Sequence, residues 1–421
     1  MMFPELETML KEKRWEDGIA LLEPCQESLD IEPLEKLCWC YSRAERYADA
    51  IKVSEELIAR QPSTAKFHYF KGYQFYAQKN WVAATEAFLK AIELYPDYLI
   101  VKYRLAYAYL EIAGKFKQFT RAEFWKAVDQ LDGCHAIYEK YDKEHAEKHK
   151  RTYADICCLH GKAIMPSPQH LNRAIELLTK ATTLKTDVNY QYQLSQAFFV
   201  KGDYAAAMDS LPSSSIDIPF YVHELKAQIL AEQGQTDDAI SVLLRLVKTR
   251  RKDYLYQRIA TYYLRQNNTT QAERYALLAV QTNNRNYKNY FVCGEVYRSK
   301  KQFKTTISFL QQAREKRQIQ FGQDCPEAAK MIDLIMEETG NNPTDAVFAC
   351  LPEKTTIMRI GEIVKYNENK GYGFIEEENS VSYFFHVTQF PKGIPPSVGM
   401  KIRFKTEQTE KGWQATNISI R

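Results

Sequence analysis

Along residues 1–340 apolar side chains recur at three- and four-residue intervals, the spacing that lines one face of an α-helix. A longer period lies over that one. Small residues stand at Ala50 and Ala84, 34 residues apart, and again at Ala174, Ala207, Ala239, Ala272 and Thr306, at steps of 33, 32, 33 and 34. A step of about 34 residues accommodates two helices and their turns. Turn-forming residues fall between the helices, as in Lys201-Gly202-Asp203, Gln233-Gly234-Gln235 and Gln266-Asn267-Asn268. The pattern predicts an α-solenoid of about eight helical hairpins over residues 1–340, each closed where a small residue lets two helices cross.

Two stretches depart from the repeat. Between Ile100 and His170 the register is lost, with the irregular part near 113–170. The polar and apolar spacing there predicts two long helices, over 121–141 and 143–165, as an insertion or an expanded hairpin ended by Pro166-Ser167-Pro168. Near the end of the array, Asp324-Cys325-Pro326-Glu327 reads as an N-cap with Glu three residues on, so residues 326–338 form a capping helix that Gly340 terminates. Residues 341–356 then read as a linker.

From residue 357 the period changes from helical to alternating. RIGEIVKY, KGYGFIEEE, SYFFHVTQF, MKIRFKTEQ and ATNISI are five short β-branched and aromatic segments separated by Gly, Pro and Asn. Five such strands over 357–421 predict a small five-stranded barrel of the OB type. Alternation sets Tyr372 and Phe374 on one face of a strand and Phe384 with His386 on the matching face of its neighbour. Rings so placed form a platform for unpaired bases.

Composition narrows the class. With 45% hydrophobic and 26% charged residues the chain is a folded protein, and no apolar run approaches the ~20 residues of a membrane span. Nine cysteines, with Cys157 and Cys158 adjacent and Cys38 and Cys40 one residue apart, suit neither a disulfide framework nor a zinc ribbon and point to a reducing, cytoplasmic setting. His145, His149, Cys157, Cys158 and His160 offer metal-ligand chemistry without a paired CxxC, so neither metal nor cofactor is expected. No Walker loop, GxGxxG after a strand or GxSxG elbow is present, and the chain reads as a non-enzyme.

Charge changes the picture once it is mapped. The net charge is +4, yet residues 245–317 hold seventeen Lys and Arg against four Asp and Glu. Arg250, Arg251, Lys252, Lys300, Lys301 and Lys304 are the candidate phosphate contacts in that segment, with tyrosines interleaved.

The residues also carry two resemblances. Gly72, Phe75, Ala84, Phe88, Ala91 and Pro96 occur at the offsets of the tetratricopeptide (TPR) pattern, and the unit around them resembles that family. The resemblance implies a right-handed superhelix whose concave face comes from the first helix of each pair. Tyr69, Tyr73, Tyr76, Tyr103 and Tyr107 would line it and receive a protein partner as an extended peptide.

Lys370-Gly371-Tyr372-Gly373-Phe374-Ile375 and Tyr383-Phe384-Phe385-His386-Val387 resemble the two RNA-binding motifs of the cold-shock domain. The segments 361–367 and 411–417 resemble its opening and closing strands. This implies a single-stranded RNA or DNA site at Lys365, Tyr366, Lys370, Tyr372, Phe374, Phe384, His386, Lys392 and Trp413. The family usually has Trp-Phe at Lys365-Tyr366 and an aromatic at Val387, which implies weaker stacking. The expected function is a nucleic-acid-binding scaffold that also docks a protein. A purely protein-binding adaptor with a degenerate barrel, and an effector with a metal site in the irregular helices, stay open as alternatives.

Overall fold

The computed structural model describes residues 3, 5–114, 121–212, 218–340, 359–377, 382–391, 394–409 and 412–420. The expected linker at 341–356 lies outside them. The chain divides into two compact units, Met1–Ile216 and Asp217–Arg421.

The first unit is helical. Its pairs are α1 (Leu6–Lys11) with α2 (Trp15–Leu22), α3 (Ile31–Arg43) with α4 (Tyr47–Arg60), and α5 (Ala65–Ala77) with α6 (Trp81–Leu94). Then come α7 (Leu99–Ile112) with α8 (Ala122–Glu139), α9 (Lys143–Ile164) with α10 (Leu171–Leu184), and α11 (Val188–Lys201) with α12 (Tyr204–Asp209). The second unit holds α13 (Phe220–Glu232) with α14 (Thr236–Thr249), α15 (Asp253–Arg265) with α16 (Thr269–Thr282), and α17 (Tyr287–Ser299) with α18 (Phe303–Phe321). A last helix, α19 (Pro326–Thr339), packs on α18.

The small residues explain the pairing. Ala50, Ala84, Ala174, Ala207, Ala239, Ala272 and Thr306 are each the fourth residue of a second helix, and each is fully buried. Twelve or thirteen residues earlier, on the first helix, stand Cys38, Gly72, Gly161, Ser195, Ala227, Ala260 and Gly294, also buried. A Cβ on Gly72 would come within 2.6 Å of the Phe88 ring, and one on Gly161 or Gly294 within 2.7 Å of Leu178 or Leu310. Where the first helix carries Cys38 or Ser195 instead, the side chain donates to the main-chain oxygen of Ala50 or Ala207.

Gly161 shows what happens in the irregular region. It keeps the register with Ala174, so α9 is a first helix grown to 22 residues, and α8 is a second helix grown to 18. At the other end, α19 starts at Pro326 with Cys325 as its cap residue, not Asp324. Asp324 is occupied elsewhere, accepting both ends of the Arg314 guanidinium at 2.8 and 2.7 Å. Gly340 closes the helix in the left-handed conformation, φ 59°.

The five-stranded barrel is made by β1 (Arg359–Asn367), β2 (Tyr372–Glu376), β3 (Ser382–His386), β4 (Lys401–Thr409) and β5 (Gly412–Ile420). It closes in the order β1-β2-β3-β5-β4. Ile363, Ile375, Tyr383, Phe385, Phe390, Ile402, Phe404, Ala415 and Ile418 fill it. The register of β1 against β2 slips between Ile363 and Lys365. Val364 and Lys365 are therefore both exposed, and the alternation restarts one residue out of phase.

Candidate nucleic-acid interface

On β2 and β3 the expected rings come together. Tyr372 pairs across the ladder with His386, and Phe374 with Phe384. The Phe384 ring lies 5.7 Å from Tyr372 and 6.0 Å from Phe374, edge-on to the latter, and all four side chains keep accessible surface. Gly373 between them has no room for a side chain, since a Cβ would meet the Phe385 ring at 2.6 Å. The barrel core thus presses directly beneath the platform. His386 is oriented by Thr388, whose Oγ1 lies 2.9 Å from Nδ1.

The slip in β1 sorts the remaining positions. Lys365 sits opposite Phe374, exposed and on the platform side. Tyr366 pairs with Gly373 instead and stacks on Phe385 at 5.9 Å, so its ring belongs to the core side and is set apart from the cluster. Lys370 is exposed in the turn before β2. Lys392 and the side chain of Trp413 lie outside the described residues.

The lower end of the barrel rests on the last repeats through a buried polar cluster that alternation does not reveal. Arg359, 5% exposed, donates to Glu377 at 3.0 Å, to the Tyr383 hydroxyl at 2.8 Å and to Gln281 of α16 at 2.8 Å. Glu377, 3% exposed, also accepts from Arg274 of α16 at 2.9 Å. One carboxylate therefore joins two guanidinium groups, one from the barrel and one from a helix. The sequence signal is slight: Arg359 occupies an inward-facing strand position, in phase with Gly361 and Ile363.

The cation-rich segment is less bare than its composition implies. Arg258, Arg265, Arg274, Arg298, Lys300, Arg314 and Arg317 each meet a carboxylate, and all but one of those acids come from outside residues 245–317. Lys300 is thus a paired cation, held by Glu273. Arg250, Arg251, Lys252, Lys301 and Lys304 have no carboxylate partner among the described residues.

Nor do the six candidates form one patch. Arg250–Lys252 lies in the turn between α14 and α15, whereas Lys300, Lys301 and Lys304 lie where α17 turns into α18. These turns are at opposite ends of antiparallel helices of 13 residues, on the order of 20 Å long. Of the two turns, the first carries Arg251, whose charge acts on Tyr383 of the barrel. Burial pushes the Tyr256 and Tyr383 phenols up, and the charges of Arg359 and Arg251 act on both in the opposite sense.

In the first unit, Tyr69, Tyr73 and Tyr76 lie together on α5, with Tyr69 and Tyr73 rings 6.2 Å apart. Tyr76 meets Tyr107 of α7 at 5.7 Å. Tyr103 is half-buried, and desolvation raises its phenol well above the ordinary range.

The metal candidates are scattered. His145 is held by Asp142, His160 by His135, and burial pushes the Cys157 and Cys158 thiols up to about 11 and about 12. Among the described residues no three His, Cys, Asp or Glu side chains are grouped to hold a metal ion, and no helix is long and apolar enough to cross a membrane.

Comparison with known proteins agrees with this geometry. The 'cold-shock' DNA-binding domain family matches residues 359–420, and the tetratricopeptide repeat family matches residues 41–98. Cold shock protein CspC of Bacillus subtilis is 36% identical over 63 residues, 14% of this chain and 96% of its own length. The Retron Se72 cold shock-like protein of Salmonella heidelberg is 36% identical over 64 residues, again 96% of its length.

Among solved structures, the C-terminal part of a TPR repeat-containing protein from Cytophaga hutchinsonii covers 66% of this chain and 99% of its own. It does so at 14% identity with a TM-score of 0.46. MamA from Desulfovibrio magneticus covers 47% and 96%, at 18% identity with a TM-score of 0.36. Both domain types are binding modules, one for nucleic acid and one for protein. Through residues 359–420 the chain belongs to the cold-shock family, and of the helical repeats that precede this domain residues 41–98 match the tetratricopeptide repeat model.

Proposed function

We propose that the protein is a non-enzymatic scaffold that holds single-stranded RNA or DNA on the barrel and docks a protein partner on the helical repeats. The observation that carries the reading is the joined, accessible cluster of Tyr372, Phe374, Phe384 and His386 over a rigid core. Bases stack on such rings at roughly 1–3 kcal/mol each, and only unpaired bases can reach them. Lys365 and Lys370 border the cluster and supply charge for the sugar-phosphate path. The unpaired cations Arg250, Arg251 and Lys252 extend that path beyond the barrel. The reading places the protein in the cytoplasm, with no cofactor.

Replacing Phe374 and Phe384 together by Ala tests it. Binding of polyuridine or polythymidine by the full chain should weaken by about 2–6 kcal/mol if both rings stack. Unchanged binding by the double variant would remove the platform as the site.

A further inference from the structure

We propose that the cavity between the start of α13 and the end of α14 holds a nucleotide by its terminal phosphate. The two helices pair as a hairpin, so the first turns of one lie beside the last turns of the other. Along α13, Phe220, His223 and Lys226 follow at three-residue steps, and along α14, Val242, Arg245 and Leu246 share one face. With Arg250 they line an open cavity of about 650 Å³. Small-ligand pockets occupy roughly 300–1,000 Å³.

The lining is one-sided in charge. Lys226, Arg245 and Arg250 bring three cations, His223 adds a ring donor, and no Asp or Glu lines the cavity among the described residues. None of the three cations meets a carboxylate among those residues, and Arg245 Nε donates to the Ser241 carbonyl oxygen at 3.4 Å. Glu224, next to His223 in sequence, is engaged elsewhere: it accepts from the Tyr254 hydroxyl at 2.7 Å and pairs with Arg258. Burial, and then the charges of Lys226 and Arg245, lower the pKa of the half-buried His223, so both cations bear on that ring. A carboxylate or a phosphodiester carries a single charge. A phosphate monoester carries roughly −1.5 to −2 at pH 7, with three acceptor oxygens, and so draws on all three cations.

The rest of the cavity suits the body of a nucleotide. Val242 and Leu246 are buried and apolar, and Phe220 keeps part of its ring accessible. The Arg250 guanidinium stands 4.7 Å from the centre of that ring. Aromatic rings and guanidinium planes are both surfaces on which a base stacks. The nucleotide has two possible sources, a free mononucleotide and the phosphorylated end of a strand. Position favours the strand end, because Arg251, next to Arg250, acts by its charge on Tyr383 of the barrel. That source rests on the reading that the barrel holds a single strand.

The test measures binding of the full chain to an oligouridylate of about 12 nucleotides carrying a 5′-phosphate, a 3′-phosphate or hydroxyls at both ends, and to uridine 5′-monophosphate. One phosphorylated form should bind about tenfold or more tightly than the hydroxyl form. Lys226→Gln with Arg245→Gln, both exposed positions, should erase that advantage and leave the hydroxyl form within about twofold of its original affinity. Lys248→Gln, on α14 but outside the cavity, should leave the advantage intact. Equal binding of all three oligonucleotides, with uridine monophosphate bound only as a free nucleotide and lost in the double variant, upholds the pocket and assigns it the other source. Equal binding without uridine monophosphate overturns the proposal, and so does an advantage that survives the double variant or is lost as fully with Lys248→Gln. Phe374→Ala with Phe384→Ala should weaken all three oligonucleotides by one common factor and leave their ratio unchanged. Loss of the ratio alone therefore indicts the pocket, and absence of the common factor alone indicts the barrel platform.

Discussion

His135 and His160 show how a single buried pair sets a pH limit. His135 Nε2 lies 3.0 Å from His160 Nδ1, and His135 Nδ1 lies 3.0 Å from the Tyr153 hydroxyl, which also accepts from Lys180 at 3.0 Å. Burial lowers the two imidazoles from the ordinary 6.5 to about 4 and about 3. Both are neutral in the folded chain at neutral pH. In the unfolded chain they take up protons as pH falls below 6.5, so stability is full above 6.5 and drops as pH falls from there toward 4. Protection of the α8 and α9 amides, taken relative to their intrinsic exchange at each pH, should fall over that window, and a His160→Gln variant should show a flatter response. Protection factors that stay constant from pH 7 to 4.5 would falsify the assignment.

At the scale of elements, the helices and strands were legible because small residues and alternation are local signals. Gly72 and Ala84 announce a crossing, since any larger side chain collides with Phe88 or its counterpart, and the same arithmetic locates the other hairpins. What is not local was missed. The slip at Val364–Lys365 adds one residue to β1, and neither side chain announces it, so alternation alone does not show that Tyr366 packs on Phe385. Asp324 looks like a cap until Arg314, ten residues back in sequence, is seen to claim it. The docking of the barrel on α16 was invisible for the same reason, because Arg274 and Glu377 stand 103 residues apart.

That contact carries its own prediction. Removing Glu377 leaves Arg359 buried and uncompensated, so Glu377→Ala should destabilise the barrel by about 3–5 kcal/mol in denaturant titrations. An exposed pair such as Arg14 with Asp17 should cost no more than about 1 kcal/mol when broken. Equal effects at the two sites would mean that the cluster does not anchor the barrel.

For the whole molecule the question is which cations share the nucleic-acid path. Each phosphate neutralised on a single strand steepens the fall of log affinity with log salt by ~0.7. The full chain should therefore lose slope, by up to about 2, when Arg250, Arg251 and Lys252 are reversed to Glu. Reversing Lys301 and Lys304, at the far ends of the helices, should leave the slope unchanged, and so should Lys300, already held by Glu273. Composition alone pointed to all six, since it counts charges without saying which acid each one meets. A slope that responds equally to both groups would mean that the strand crosses the array from end to end.

The anchoring of β1 and β2 to α16 also gives the path proposed for a single strand two distinct ends. With the barrel held at Arg359 and Glu377, the aromatic platform lies toward the His386 end of β3, and the Arg251 charge acts on Tyr383, next to Ser382 at the other end. A single strand that touches both meets an asymmetric surface along β3, so its two polarities are not equivalent there. Oligonucleotides carrying a photocrosslinker at one end or the other should label the Arg250–Lys252 turn from one end only, which would make the protein a reader of polarity even where it ignores base identity.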